Sequence, residues 1–127
     1  TTTTYAIFLQ FGSLNTIVEK NHIRSLFNNM LTNTNQATAI YIQASASQNS
    51  VNVIRNNIVS DINHNGTLFG IYSPGYTYAQ IEHNTVSLEY ANATGGATYG
   101  IYCITAPNIV QNNIVTIKRG GGGAKYC

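Results

Sequence analysis

The chain has 127 residues, six Lys and Arg against four Asp and Glu, two cysteines and 43% hydrophobic residues, which suits one small core and neither two cores nor a disordered tract. Charged residues are only 8% of the chain, so 17 Asn and 15 Thr must carry solubility, and four carboxylates are little material for acid–base chemistry. A net charge of +2 without a basic run argues against nucleic acid as a partner, no stretch approaches the roughly 18 apolar residues of a membrane span, and the first residues do not read as a signal peptide.

In chain order, the threonines at 1–4 read as a frayed start or one within a coil. Two short motifs then alternate. The first appears as Thr4-Tyr5-Ala6-Ile7-Phe8, the second as Val18-Glu19-Lys20-Asn21-His22-Ile23. After a variable stretch at 28–36 come Ala37-Thr38-Ala39-Ile40-Tyr41 and Ile54-Arg55-Asn56-Asn57-Ile58-Val59. After another at 63–67 come Leu68-Phe69-Gly70-Ile71-Tyr72 and Ile81-Glu82-His83-Asn84-Thr85-Val86. A third variable stretch, 91–97, precedes Thr98-Tyr99-Gly100-Ile101-Tyr102 and Val110-Gln111-Asn112-Asn113-Ile114-Val115. A short fifth copy of the first motif, Gly123-Ala124-Lys125-Tyr126, follows glycines 120–123, expected to form a flexible loop.

The motif asparagines lie 36, 27 and 29 residues apart, a repeat near 30 residues that dictates the architecture. Runs of Ile, Val, Tyr and Thr broken by Asn, Gly and Ser are strand and turn chemistry, and no helical period persists. Coils stacked roughly 4.8 Å apart would bring like residues over like. Ile7, Ile40, Ile71 and Ile101 then form one inward column, and Ile23, Val59, Val86 and Val115 another. The variable stretches become surface loops. Two of them hold Asn-x-Thr, at Asn65 and Asn92, read as polar loop sequence rather than glycan acceptors.

The Asn-Asn-Ile-Val and Tyr-Gly-Ile-Tyr cadence resembles right-handed parallel β-helix repeats. More narrowly, it is similar to repeats of the very large surface proteins of Bacteroidota exported by the type IX secretion system. The resemblance runs from Thr4 to Cys127. It implies an all-β fold, one right-handed parallel β-helix of about four coils over 1–127, cut from a longer solenoid and uncapped at both ends. It also implies a cell-surface or extracellular location and a structural, adhesive role. Partners would be adjoining coils of a parent chain, neighbouring copies end to end, extracellular glycans or secretion machinery. Similar β-helices include pectate lyases and polygalacturonases, so a polysaccharide-cleaving enzyme is one alternative and a stacked filament subunit another.

Stacked columns carry the remaining expectations. Asn21, Asn57, Asn84 and Asn113 should form an amide ladder at a turn where Asn tolerates left-handed backbone. Arg55 should lie between Glu19 and Glu82. Those carboxylates, roughly 9.6 Å apart across two coils, stand near glycosidase spacing, but the Arg would keep both ionised, so no catalytic residue is assigned. Phe8, Tyr41, Tyr72, Tyr102 and Tyr126 should line one outer column, either covered by packing or presented to sugar rings, with small residues at 6, 39, 70, 100 and 124 leaving ring faces open. His22, His64 and His83 have no metal-ligand spacing and should be surface imidazoles; no metal or cofactor is expected. Cys103 and Cys127 share a repeat position, which leaves open a disulfide or two small buried thiols.

Overall fold

Thirteen short strands account for the repeat. They are β1 (Thr4–Leu9), β2 (Ile17–Glu19), β3 (His22–Ile23), β4 (Ala37–Ile42), β5 (Asn52–Arg55), β6 (Ile58–Val59), β7 (Leu68–Ser73), β8 (Ala79–Glu82), β9 (Thr85–Leu88), β10 (Thr98–Cys103), β11 (Ile109–Gln111), β12 (Ile114–Ile117) and β13 (Lys125–Tyr126). The computed structural model describes residues 3–27, 32–44, 46–75, 77–105 and 107–127. Thr1 and Thr2 of the threonine run, and 28–31 of the first variable stretch, lie outside them. The described residues contain no helix.

All pairing is parallel and joins each strand to its counterpart about 30 residues away. The first sheet runs β1-β4-β7-β10-β13, the second β11-β8-β5-β2 and the third β12-β9-β6-β3. Each coil therefore contributes one strand to each of three sheets, and the chain is a parallel β-solenoid of about four turns. Ile7 pairs with Ile40, Ile40 with Ile71 and Ile71 with Ile101, as the inward column requires. Val59 lies between Ile23 and Val86, which pairs with Val115.

The core is the sum of such columns. In the two middle coils Ile40, Ile42, Ile54, Val59, Ile71, Ile81 and Val86 are fully buried. Each contributes roughly 1.5–3 kcal/mol relative to an exposed position. Their counterparts Ile7, Ile101 and Val115, in the first and fourth coils, are only partly buried.

The Asn column is a hydrogen-bonded ladder. Each side-chain amide donates to the amide oxygen of the following coil: Asn21 to Asn57 at 2.9 Å, Asn57 to Asn84 at 2.9 Å and Asn84 to Asn113 at 3.0 Å. The main-chain N–H groups of Asn21, Asn57 and Asn84 donate to the same oxygens. The amides also donate back to main-chain oxygens of the coil before, Val18, Ile54 and Ile81. One expectation is corrected. The left-handed residue of each turn is the one before the ladder, Lys20, Asn56, His83 and Asn112, with φ of 58°, 54°, 55° and 54°. The ladder asparagines are there for their two-sided amide, not their backbone tolerance.

The loops joining the third sheet to the next first-sheet strand are not simply surface. Gly66 is buried, and a Cβ there would sit 2.1 Å from the Asn35 carbonyl oxygen. The run at 120–123 packs closely at its ends, where a Cβ on Gly120 would meet the Ala91 oxygen at 1.9 Å and one on Gly123 the Gly96 oxygen at 1.9 Å, while Gly121 and Gly122 between them are exposed. Successive loops stack backbone on backbone, and glycine is what that approach permits.

Candidate functional site

The first-sheet strands do not alternate strictly. Ala39 and Ile40 are both buried, as are Gly70 and Ile71. Two consecutive inward residues bend the strand and leave the residues on either side, three apart, on the outer face. The Phe8, Tyr41, Tyr72 and Tyr102 column stands as expected. A second outer row, missed from the sequence, runs beside it through Tyr5, Thr38, Phe69 and Tyr99. The signal was in the motif itself, but strict alternation predicted that Tyr5 and Phe8 face opposite ways.

Tyr126 belongs to this second row. β13 pairs Tyr99 with Tyr126 and Thr98 with Lys125, so Tyr126 does not continue the Tyr102 column. The last loop shifts its coil by three residues relative to the alignment. The same shift places Cys127 across from Gly100 rather than Cys103, which pairs with Ser73. Both thiols are free. Burial pushes the Cys103 thiol up from its ordinary value.

Eight rings form one contiguous strip. Across coils, Phe69 stacks on Tyr99 at 4.6 Å and 7°, and Tyr99 on Tyr126 at 4.8 Å and 10°. Along strands, Tyr5 meets Phe8 at 5.0 Å, Phe69 meets Tyr72 at 4.4 Å, and Tyr99 meets Tyr102 at 4.7 Å. Tyr41 ties Phe8 to Tyr72 at 5.3 Å on either side. Such pairs add roughly 0.5–1.5 kcal/mol each beyond area burial.

The stacking bears on what the strip can recognise. In the Phe69, Tyr99 and Tyr126 row, ring faces are turned to one another. The small residues expected to open those faces point elsewhere: a Cβ on Gly70 would meet Val86 Cγ1 at 2.5 Å, and one on Gly100 would meet Val115 Cγ1 at 2.2 Å. They are small because inner valines rise against them, and Ala124 is outside that column. Phe69 is buried beneath its neighbours, Phe8 and Tyr126 are exposed and the other five rings are half-buried; burial raises the Tyr41 and Tyr72 phenols above their usual value, with neighbouring phenols adding to it. These hydroxyls stay protonated donors at neutral pH.

Arg55 lies in register between Glu19 and Glu82. It pairs with Glu19, Nε to Oε2 at 2.8 Å, and this hydrogen bond draws the Glu19 carboxyl below its ordinary range. Glu82 instead accepts from Gln111 Nε2 at 3.0 Å. Asp61 accepts from the Ser25 hydroxyl at 2.8 Å. Among the described residues no group of three His, Cys, Asp or Glu could hold a metal ion.

His64 departs from the expectation for histidines. It is completely buried, its ring 4.7 Å from Phe27, with Nε2 hydrogen-bonded to the Asn35 carbonyl oxygen and Nδ1 without a partner. Beside it lies a buried cation invisible in the sequence, Arg119. Its guanidinium donates to the His64 oxygen from Nε at 3.1 Å and Nη2 at 2.5 Å, to Gly66 at 2.8 Å and Gly96 at 3.3 Å, and to the Thr98 hydroxyl at 2.8 Å. Carbonyl dipoles replace a counter-ion and tie three coils together. Burial lowers both groups from their ordinary values.

Comparison with known proteins gives no match: no family model fits the chain, and no curated protein or solved structure is significantly similar to it. No helix among the described residues is long and apolar enough to cross a membrane.

Proposed function

We propose that the chain is a structural β-solenoid segment of a large cell-surface or secreted protein, and that its aromatic strip is its adhesive face. The observation that carries this reading is the strip itself: eight rings in unbroken contact on one sheet. Rigid aromatics with polar tips are the side chains that dominate recognition surfaces. Because rings cover one another's faces, the strip suits edge-on packing against a partner better than flat stacking of sugars.

The double variant Tyr72→Ala with Tyr102→Ala tests this. The surface-immobilised chain should lose roughly tenfold or more in retention of cells or purified polysaccharides, as expected when central anchors are truncated, while its circular dichroism stays that of the parent. Unchanged retention in a folded variant removes the strip from the proposal. Release of reducing ends or unsaturated uronates would instead support the polysaccharide-cleaving alternative, against which the ionised Glu19 counts.

End-to-end stacking is kept as a second reading on one observation that is compatible with it. The ladder is polar: Asn21 Oδ1 can accept, and the Asn113 main-chain N–H can donate, in the direction each intercoil bond already takes. A further coil of one chain or a neighbouring copy satisfies it equally.

A further inference from the structure

We infer that the corner between the first and second sheets holds a binding pocket for a neutral pyranose unit, built around Tyr78. The pocket is a concavity of about 360 Å³ lined by Gln48, Val51, Tyr78, Gln80, Pro107 and Ile109. That volume is at the small end of the roughly 300–1,000 Å³ typical of small-molecule sites. No strip residue lines it, and the inference does not rest on the adhesive reading.

The backbone of Tyr78 points to this place. Its φ is 43°, in the left-handed region where a bulky side chain carries a conformational cost. The solenoid supplies its own comparison. Ile17, Val53, Gln80 and Ile109 are in register, so Asn15, Val51, Tyr78 and Pro107 occupy the same turn position. In the first coil the left-handed residue is Asn15, φ 51°, a residue that takes this conformation readily. Nothing in the backbone favours Tyr over Asn at 78.

The strain is held from both sides. Asn108 Oδ1 accepts from the Thr77 hydroxyl at 2.7 Å and from the Ala79 N–H at 2.9 Å, bracketing Tyr78. Its amide donates to the Thr105 oxygen at 2.8 Å, and the Ser73 hydroxyl lies 2.5 Å from that of Thr77. Asn52 makes the matching bonds at the same corner, accepting from the Thr16 N–H and donating to the Ser13 oxygen, so the corner amide is a repeated device of the solenoid, and here it fixes the backbone on which Tyr78 stands at the pocket wall.

The lining decides the ligand class. None of these residues is charged at neutral pH, which disfavours phosphates, uronates and ammonium groups. A planar ring, apolar Val51, Pro107 and Ile109, and two primary amides remain. The amides of Gln48 and Gln80 have no partner among the described residues and can each donate to and accept from vicinal hydroxyls. An aromatic plate flanked by such amides matches a pyranose, with C–H bonds on one face and hydroxyls at its rim.

The test is saturation-transfer NMR on the whole chain with methyl glycosides of glucose, galactose and mannose, and with glucuronate and a proline decapeptide as comparators. Transfer to ring protons of at least one neutral glycoside is expected. It should fall roughly tenfold in Tyr78→Asn and drop in Gln80→Leu, because the stacking plate or a rim amide is gone. Tyr78→Asn should melt no lower than the parent, since it relieves the backbone, which separates loss of binding from loss of fold. Tyr72→Ala with Tyr102→Ala should retain the signal even if it abolishes adhesion. No transfer to any neutral glycoside, transfer that survives Tyr78→Asn, or binding of the decapeptide or glucuronate alone would overturn the assignment.

Discussion

At the scale of single residues, the ladder and the buried cluster carry the sharpest consequences. Asn57 is 1% exposed and its side chain makes four intercoil bonds. Asn57→Ala takes the side-chain partner from the Asn21 N–H, the Asn21 amide and the Val18 carbonyl, leaves the Asn84 amide oxygen with the Asn57 main-chain N–H alone, and should cost roughly 3 kcal/mol in urea unfolding. Asn113→Ala, where the side chain is half-buried, should cost distinctly less, because water replaces part of what is lost. A cost below that of Asn113→Ala would mean that the ladder does not hold the coils. His64 predicts an acid response. Burial depresses its folded-state pKa, opposed by the hydrogen bond to Asn35 and reinforced by Arg119, so the unfolded chain takes up the proton first. Stability is full above about pH 6.5 and falls as pH drops toward the lowered folded value, by at most about 1.4 kcal/mol per pH unit. Unfolding midpoints compared between about pH 7.5 and about pH 5 should diverge in the parent and much less in His64→Gln. Equal pH dependence in the two would remove His64 as the responsible group.

At the scale of elements, the bend in the first-sheet strands couples them to the third sheet. Gly100 leaves no room for a methyl group because Val115 stands 2.2 Å from where its Cβ would be. Gly100→Ala should therefore cost about 1–3 kcal/mol, the usual range for overpacking a filled core. Val115→Ala vacates that space. The double variant should be more stable than the two single costs added together, a coupling that a thermal or urea double-mutant cycle reads directly. Additive costs would mean that the strand shifts instead. The same bend explains why the aromatic rows were only half legible: alternation with period two holds for a flat strand, and two consecutive inward residues reset it.

At the scale of the molecule, the polar ladder and the parallel sheet rows make one coil edge complementary to the next. If copies stack, light scattering of the 127-residue chain should rise with concentration and reverse on dilution, and Asn21→Ala should suppress it by removing the accepting oxygen. A constant monomer signal at high concentration would leave only intrachain coils as the ladder's continuation. Solenoids distribute stability over coil interfaces rather than one nucleus. Arg119 works against that independence, since one side chain in the fourth coil hydrogen-bonds carbonyls of the two loops before it. Arginine at that position looked like any surface cation in the sequence, because its partners are main-chain oxygens that any residue would supply.

By itself the sequence determined the repeat, the all-β parallel stacking, the inward Ile and Val columns, the Asn ladder and the Arg55 position between two glutamates. These are properties of register, and register follows from spacing once like residues must lie over like. Only the tertiary structure decided the offset of the last coil, which moved Tyr126 and Cys127 three residues from their aligned columns, and the bend that joined two aromatic rows into one strip. It alone decided the burial of His64 with Arg119 and the left-handed Tyr78 at a pocket. Each depends on how a loop of irregular length closes on its neighbours. Loop closure is settled by packing and main-chain hydrogen bonds between residues far apart in sequence, which leave no periodic trace in it.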